Sequence, residues 1–454
     1  MSYEEPATNL DRTVTATPAA LSEASSAKEY ASYPSDFLEL YLQKCSDYSI
    51  STPVTRLLKE YNAVKEKGKE MRHLILNGNC VSMFEKRLHN LDIFPICDTL
   101  EILHTGFIVS CDLSYNNIGD SGANSIARML KINSSIQHLS LRSNSISERG
   151  ASDIADSLKE NRNLLSFDFS YNAIEDKGGM KMADMLEENI TLKFLNLSSC
   201  DLKTSSVIKL AISVRHHPSL QELRIGKTLC NSKKEESLQH LAEIFRVNTV
   251  IRSLDLSFQS ISDSGINTFF QGIKLCRTLT HLRLGANCIT MSVDVIAKYL
   301  ENPNCAIQLL DLSANRIDSD GGIQIAKCLI KNKTLTYLDL SGNNIGDDSL
   351  TFLAKTLASK NEVLSKLFVA GNKFNQKSIK SFDDLAKERY DLDVDIHTYK
   401  TDDIFYCTKK TIPETHQYGD IDTLPEQISE IERILVRAYT DSGLPSTNLD
   451  SINN

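Results

Sequence analysis

Apolar and polar positions alternate in short bursts along this chain. Each burst is followed by a longer stretch in which apolar residues return every three or four positions. In IQHLSLRSNSI, Leu139 and Leu141 alternate with His138, Ser140 and Arg142, the period of a strand with one buried face. In the SERGASDIADSLKEN that follows, Ile154, Ala155 and Leu158 share one helical face. The pair then repeats. The string LxxLxLxxN, or a close variant, ends at Asn79, Asn116, Asn144, Asn172, Cys200, Thr228, Gln259, Asn287, Asn315, Asn343 and Asn372. From Asn116 the step is 28 residues, except 31 before Gln259 and 29 before Asn372.

A unit of this size cannot bury its own apolar face, so the units must stack. The pattern predicts an α/β solenoid, a horseshoe with parallel strands on the concave face and helices on the convex face. An alanine recurs on the helices at 127, 155, 183, 211, 242, 297, 326 and 354, where a small side chain lets helix and strand approach. Asn144 and its equivalents stand where the strand ends, and a side-chain amide there can satisfy backbone groups that the turn leaves unpaired. Asp120, Glu148, Asp176, Asp263 and Asp347 begin the helical stretches, where unpaired amides favour an acid.

The segments LDLSYNNIGDSGANSIARML and LDLSGNNIGDDSLTFLAKTL resemble the ribonuclease-inhibitor-type leucine-rich repeat. The resemblance covers about residues 70–380. It implies the horseshoe fold and a protein-binding role. Two units depart from the pattern, with Thr228 and Gln259 at the asparagine position, and three extra residues fall between them in TLCNSKKEESLQHLAEIF. A polar insertion there predicts a bulge in the strand-to-helix loop. The architecture is also similar to small intracellular leucine-rich-repeat-containing proteins, including the type numbered thirty-four, and to a ciliary dynein-regulatory subunit; the segment DVDIHTYKTDDIFYC adds to that likeness.

An open stack needs caps. Residues 35–69 read as two amphipathic helices, near 35–48 and 53–67, with Pro53 suited to a first turn. Residues 381–410 read as the end of a capping helix and a hairpin turning at Lys400–Asp403. Residues 1–34 read as disordered. Residues 411–454 read as an acidic tail with one amphipathic helix, in which Ile428, Ile431, Leu435 and Val436 form a stripe.

Charge and cysteine content narrow the function classes. The net charge is −9, and the flanks 1–34 (5 acidic, 2 basic) and 411–454 (8 acidic, 2 basic) supply all of it. A neutral body argues against nucleic acid as a partner, because phosphate binding needs a basic stripe. The 11 cysteines form no CxxC pair, which fits reduced, packed thiols in an intracellular protein. The N-terminal segment has no basic-then-apolar signal pattern and no apolar run is long enough to span a bilayer. Cytoplasm or cytoskeleton, a cilium or flagellum, and the nucleus or nucleolus are the compartments this reading allows.

Sites for chemistry are scarce. IGKT at Ile225–Thr228 resembles the end of a phosphate-binding loop, but Gln221 holds the position where the earlier glycine is required. His216 and His217 read as a solvated pair at a helix end. No HExxH, GxSxG or paired CxxC occurs. No enzyme, cofactor, metal or small-molecule substrate is therefore expected.

Strand alternation gives the outward residues directly. One column runs Ile75, Asp112, Ser140, Asp168, Asn196, Arg224, Asp255, Arg283, Asp311, Asp339 and Phe368. The column before it includes Phe194, Glu222, His281 and Tyr337, while Tyr115, Tyr171 and Phe258 stand near strand ends. Aspartates in the first column are what the repeat consensus supplies. Arg224 and Arg283 break that column, and Phe194, Phe258 and Tyr337 place aromatics where packing does not require them. With Asp255, Asp311 and Asp339 they are the candidate contacts for a protein partner, since aromatics and arginine anchor interfaces. The expected function is a non-catalytic interaction scaffold. The alternative is a GTPase-activating protein similar to the Ran-directed activator, although the tail lacks that family's dense acidic run. An inhibitor of ribonuclease would be richer in cysteine, and no nucleotide-binding domain precedes the repeats as in innate-immune receptors.

Overall fold

The computed structural model describes residues 36–410, apart from 80–86, 104–105, 107 and 231–233. The expected disordered segment 1–34 and the expected helix within 411–454 lie outside the described residues. One parallel sheet runs through the chain in strict sequence order. Its strands are β1 His73–Ile75, β2 Ser110–Asp112, β3 His138–Ser140, β4 Ser166–Asp168, β5 Phe194–Asn196 and β6 Glu222–Arg224. They continue as β7 Ser253–Asp255, β8 His281–Arg283, β9 Leu309–Asp311, β10 Tyr337–Asp339, β11 Lys366–Phe368 and β12 Asp393–Val394. The central residue of each of the first eleven is a buried apolar side chain, as Leu139, Phe167 and Leu223 illustrate. The register pairs residues of one repeat column, so Arg224 sits beside Asp255 and Asp255 beside Arg283.

A helix follows each of the first eleven strands, and successive helices pack together. Helices need about 8–10 Å between axes while parallel strands need about 4.8 Å, so the stack must curve with the sheet inside. Every member of the alanine column is buried. The chain is thus an open α/β solenoid.

Polar interlocks join the repeats. Asn172 donates its side-chain amide to Phe169 O, just past the strand of its own repeat, and to Leu141 O at the same place in the preceding repeat, both at 2.9 Å. Its carbonyl accepts from Asn144 N and Ile146 N. A second asparagine series stands at the helix exits. Asn161 donates to Leu130 O of the previous repeat and accepts from Asn163 N and Leu164 N. His217 occupies this position in its repeat, with Nδ1 accepting from Ser219 N and Leu220 N. The expected solvated pair is thereby corrected: His216 is exposed, but His217 is buried, and burial lowers its pKa to about 4.

The ends are closed differently. Helices Phe37–Asp47 and Thr55–Glu66 bring Leu40, Tyr41, Cys45 and Leu57 into the core at the N-terminal side. Pro53 lies just before the second helix, whose N-cap is Val54, and not within its first turn. At the other end β12 adds a twelfth strand with no leucine string of its own. Asp395 finishes the sheet by accepting from Val369 N and Ala370 N. Helix Gln376–Glu388 then supports the antiparallel hairpin β13 Ile396–Thr401 and β14 Ile404–Lys409. Its two-residue turn, Asp402–Asp403, has positive φ at both positions (48° and 60°), as a type I′ turn requires.

Candidate functional site: the concave sheet face

The aspartate column does structural work at the strand exits. Asp112, Asp168, Asp255, Asp311 and Asp339 each accept the amide of the serine two residues on, at 2.8–3.0 Å. Each carboxylate thus closes the turn that leaves its strand. Asn196 does the same for Ser198 N.

Arg224 and Arg283 escape that duty and meet at the middle of the face. The Arg224 guanidinium lies 5.0 Å from the Phe194 ring centroid, and its Nε donates to Glu222 Oε1 at 2.6 Å. Arg283 Nη1 stands 3.7 Å from the same carboxylate oxygen. Two cations therefore share Glu222, with Asp255 between them in register, and the side chains of all three partners in this cluster are largely buried. The cluster is preorganised, because ring, carboxylate and guanidinium fix one another before anything binds.

Asp311, Tyr337 and Asp339 form a second group on the next two strands, β9 and β10. The Tyr337 and Phe368 rings pack with centroids 5.0 Å apart. Burial, together with the neighbouring Asp311 and Asp395 charges, pushes the Asp339 carboxyl up to about 6 despite its bonds from Ser341. Phe258 belongs to neither group. It stands 63 % exposed at the rim, where its strand ends.

The rim has a regular backbone peculiarity. From Asn116 onward the residue just before each position of the asparagine series adopts positive φ: Tyr115, Ser143, Tyr171, Ser199, Lys227, Phe258, Ala286 and Ala314, then Gly342 and Gly371. Glycine is at ease there, whereas an L side chain costs about 1 kcal/mol. Aromatics at Tyr115, Tyr171 and Phe258 accept that strain while remaining at the surface of the strand exits. Arg142 is held over two of them, 5.6 Å from the Tyr115 centroid and 4.5 Å from Tyr171, with Nε donating to Tyr115 Oη at 2.8 Å. Periodicity alone places Tyr115, Arg142 and Tyr171 near the rim but gives no sign that they stack. Glu222 could have been found, because residues two apart on a strand share a face.

The IGKT segment is a repeat turn. Gly226 N donates to Ser198 Oγ, Lys227 N to Ser257 O and Leu229 N to Leu202 O, so these amides are spent within the stack. Thr228 leaves the strand-exit series incomplete, its buried Oγ1 having no partner. Among the described residues no cluster of three or more His, Cys, Asp or Glu could hold a metal, and no helix is long and apolar enough to cross a membrane.

A family model described as Leucine Rich repeat matches residues 111–127, 133–155, 160–183, 188–211 and 331–354. The chain carries leucine-rich repeats. It is 28% identical over 213 residues to leucine-rich repeat-containing protein 34 of Mus musculus, covering 46% of this chain and 51% of that protein. It is 26% identical over 172 residues to NACHT, LRR and PYD domains-containing protein 14 of Mus musculus, covering 37% of this chain and 17% of that protein. The chain thus spans about half the length of the first relative and a small part of the second. Among solved structures, an internalin from Listeria monocytogenes aligns with 71% of this chain and 86% of its own, at 16% identity and a TM-score of 0.40.

Proposed function

We propose that this protein is a non-catalytic scaffold of the ribonuclease-inhibitor-type repeat class, which holds a protein partner against its concave sheet face. The observation that carries the reading is the Phe194–Arg224–Glu222–Arg283 cluster. It puts two arginines, the only departures to basic residues in that column, at the centre of the concavity and fixes them by stacking and ion pairing. Central, rigid arginine–aromatic groups are where interfaces concentrate binding energy. Asp255 lies within the cluster, while Asp311, Tyr337 and Asp339 supply a second contact group towards the C-terminal side. Phe258 supplies an exposed apolar contact at the rim. Charge reversal at Arg224 in the full chain, read by partner retention with the fold monitored, tests the assignment.

In this reading the scaffold serves an intracellular assembly, in the cytoplasm or cytoskeleton, a cilium or flagellum, or the nucleus or nucleolus, which fits eleven cysteines without a CxxC pair. The Ran-directed activator reading gains no observation from the geometry.

A further inference from the structure

Four of the seventeen large apolar side chains exposed among the described residues fall between positions 390 and 406: Tyr390, Tyr399, Ile404 and Tyr406. Three of them share one face of the terminal hairpin. Tyr399 and Tyr406 are direct cross-strand partners with rings stacked at 5.4 Å, and Ile404 lies further along the same face. His397 extends the stack at 6.4 Å from Tyr399. The opposite face is already used. Thr398 donates to Asp383, and the Phe405 backbone exchanges two hydrogen bonds with the Gln376 side chain, both on the supporting helix. A two-stranded hairpin with one aromatic face open to water has little stability of its own.

We infer that the tail segment Leu424–Tyr439 of the same chain docks its apolar stripe on the Tyr399–Tyr406–Ile404 face of this hairpin. The chain leaves β14 at Lys410, whose N–H is held by Asp395 O at 2.7 Å, so the tail starts beside the face it covers. Thirteen residues lie between Lys410 and Leu424, and that tether spans at most about 50 Å. A six-residue strand is only about 20 Å long, so the tether reaches every point of the hairpin. In the tail, Ile428, Ile431 and Leu435 recur at the spacing of one helical face, with the acids Glu430 and Glu432 between them and Glu426 just before. A short tether gives the segment a local concentration near the millimolar range, well above that of any free partner.

Hydrogen exchange of the full chain tests this with two pairs of substitutions. In the Ile431→Asp, Leu435→Asp double variant, amides of β13 and β14 should exchange roughly tenfold faster, with the sheet β1–β11 unchanged. In Tyr399→Ser, Tyr406→Ser, amides of 424–439 should lose protection to a similar degree. Unchanged exchange in the partner segment of either variant overturns the inference. So does a solution mass of two copies that falls to one in Tyr399→Ser, Tyr406→Ser, because a second molecule would then be what covers the face.

Discussion

Asp263 holds the backbone amide of Ser292, twenty-nine residues further on, at 2.9 Å. The same carboxylate accepts from Thr290 N, Met291 N and both the Thr290 and Ser292 hydroxyls. It opens one helix yet caps the next repeat, while its own helix is capped by Ser262. Asp120 does likewise for Ser147 and Gly150, Asp176 for Ser206, and Asp347 for Asn375 and Ser378. Burial opposes ionisation of Asp263, but these donors overcome it and hold its pKa well below the ordinary carboxylate range. At these four positions the acid that opens a helix is therefore an inter-repeat clamp, a stronger role than favouring its own helix dipole.

Removing the clamp should uncouple two units. Asp263→Ala is expected to cost about 2–3 kcal/mol, since it removes the acceptor of five donors at once, four of them part-buried. Ser262→Ala, which removes one cap bond at 3.5 Å, should cost about 1 kcal/mol or less. Denaturant midpoints of the two variants check the order.

The broken strand-exit series gives a prediction of opposite sign. Asn172→Ala should destabilise by about 2–3 kcal/mol, because its donors and acceptors reach two repeats. Thr228→Asn should stabilise by about 1 kcal/mol, because the Thr228 hydroxyl is buried without a partner and an asparagine there supplies the amide used at Asn172 and Asn287. A lower melting temperature for Thr228→Asn would show that the local backbone has adapted to threonine.

His217 makes stability depend on pH. Its folded pKa of about 4 lies below the ordinary 6.5, because burial disfavours the charged ring. Its contribution is intact above pH 6.5 and is lost as pH falls towards 4, where the unfolded chain takes up a proton that the folded one refuses. His217→Asn keeps the acceptor for Ser219 N and Leu220 N and should flatten that slope by on the order of 2–3 kcal/mol between pH 6.5 and 4. Unfolding curves at several pH values measure it.

Asp339 works in the other direction. Its folded pKa of about 6 lies above the ordinary 3.8, so ionisation costs stability as pH rises through this interval. Asp339→Asn retains a carbonyl for Ser341 and should be more stable at pH 7.5 by roughly 2 kcal/mol, with little difference at pH 4. We propose that the partner also uses this acid, beyond its role in closing the turn at Ser341. Loss of partner affinity in the stabilised variant is the second readout.

The repeat step, the strand columns and the buried alanines were legible because each is a one-dimensional period. The helix-exit series at Asn133, Asn161, Asn189, Asn248, Asn332 and Asn361 is nearly as periodic, but it lies outside the leucine string and was missed. His217 was misread because nothing marks it as an asparagine substitute until its place in that series is known. Period also cannot say which repeat a side chain serves, so Asp263 read as an acid for its own helix. In the candidate site, the outward position of Arg224 and Arg283 could be read from alternation. Their sharing of Glu222, and the Arg142 stack on Tyr115 and Tyr171, depend on rotamers across neighbouring strands. The strand β12 escaped notice because Asp395, and no leucine string, completes its turn.

The central claim is that the concave arginine cluster holds a protein partner. Its most direct test is affinity capture of the tagged full chain from its native cells, comparing wild type with Arg224→Glu and with Lys355→Glu, an exposed change on a helix. Arg224→Glu is expected to fold but to retain at least about tenfold less of the wild-type partner, as loss of an interface anchor would, whereas Lys355→Glu retains it fully. Equal retention by wild type and Arg224→Glu would contradict the account.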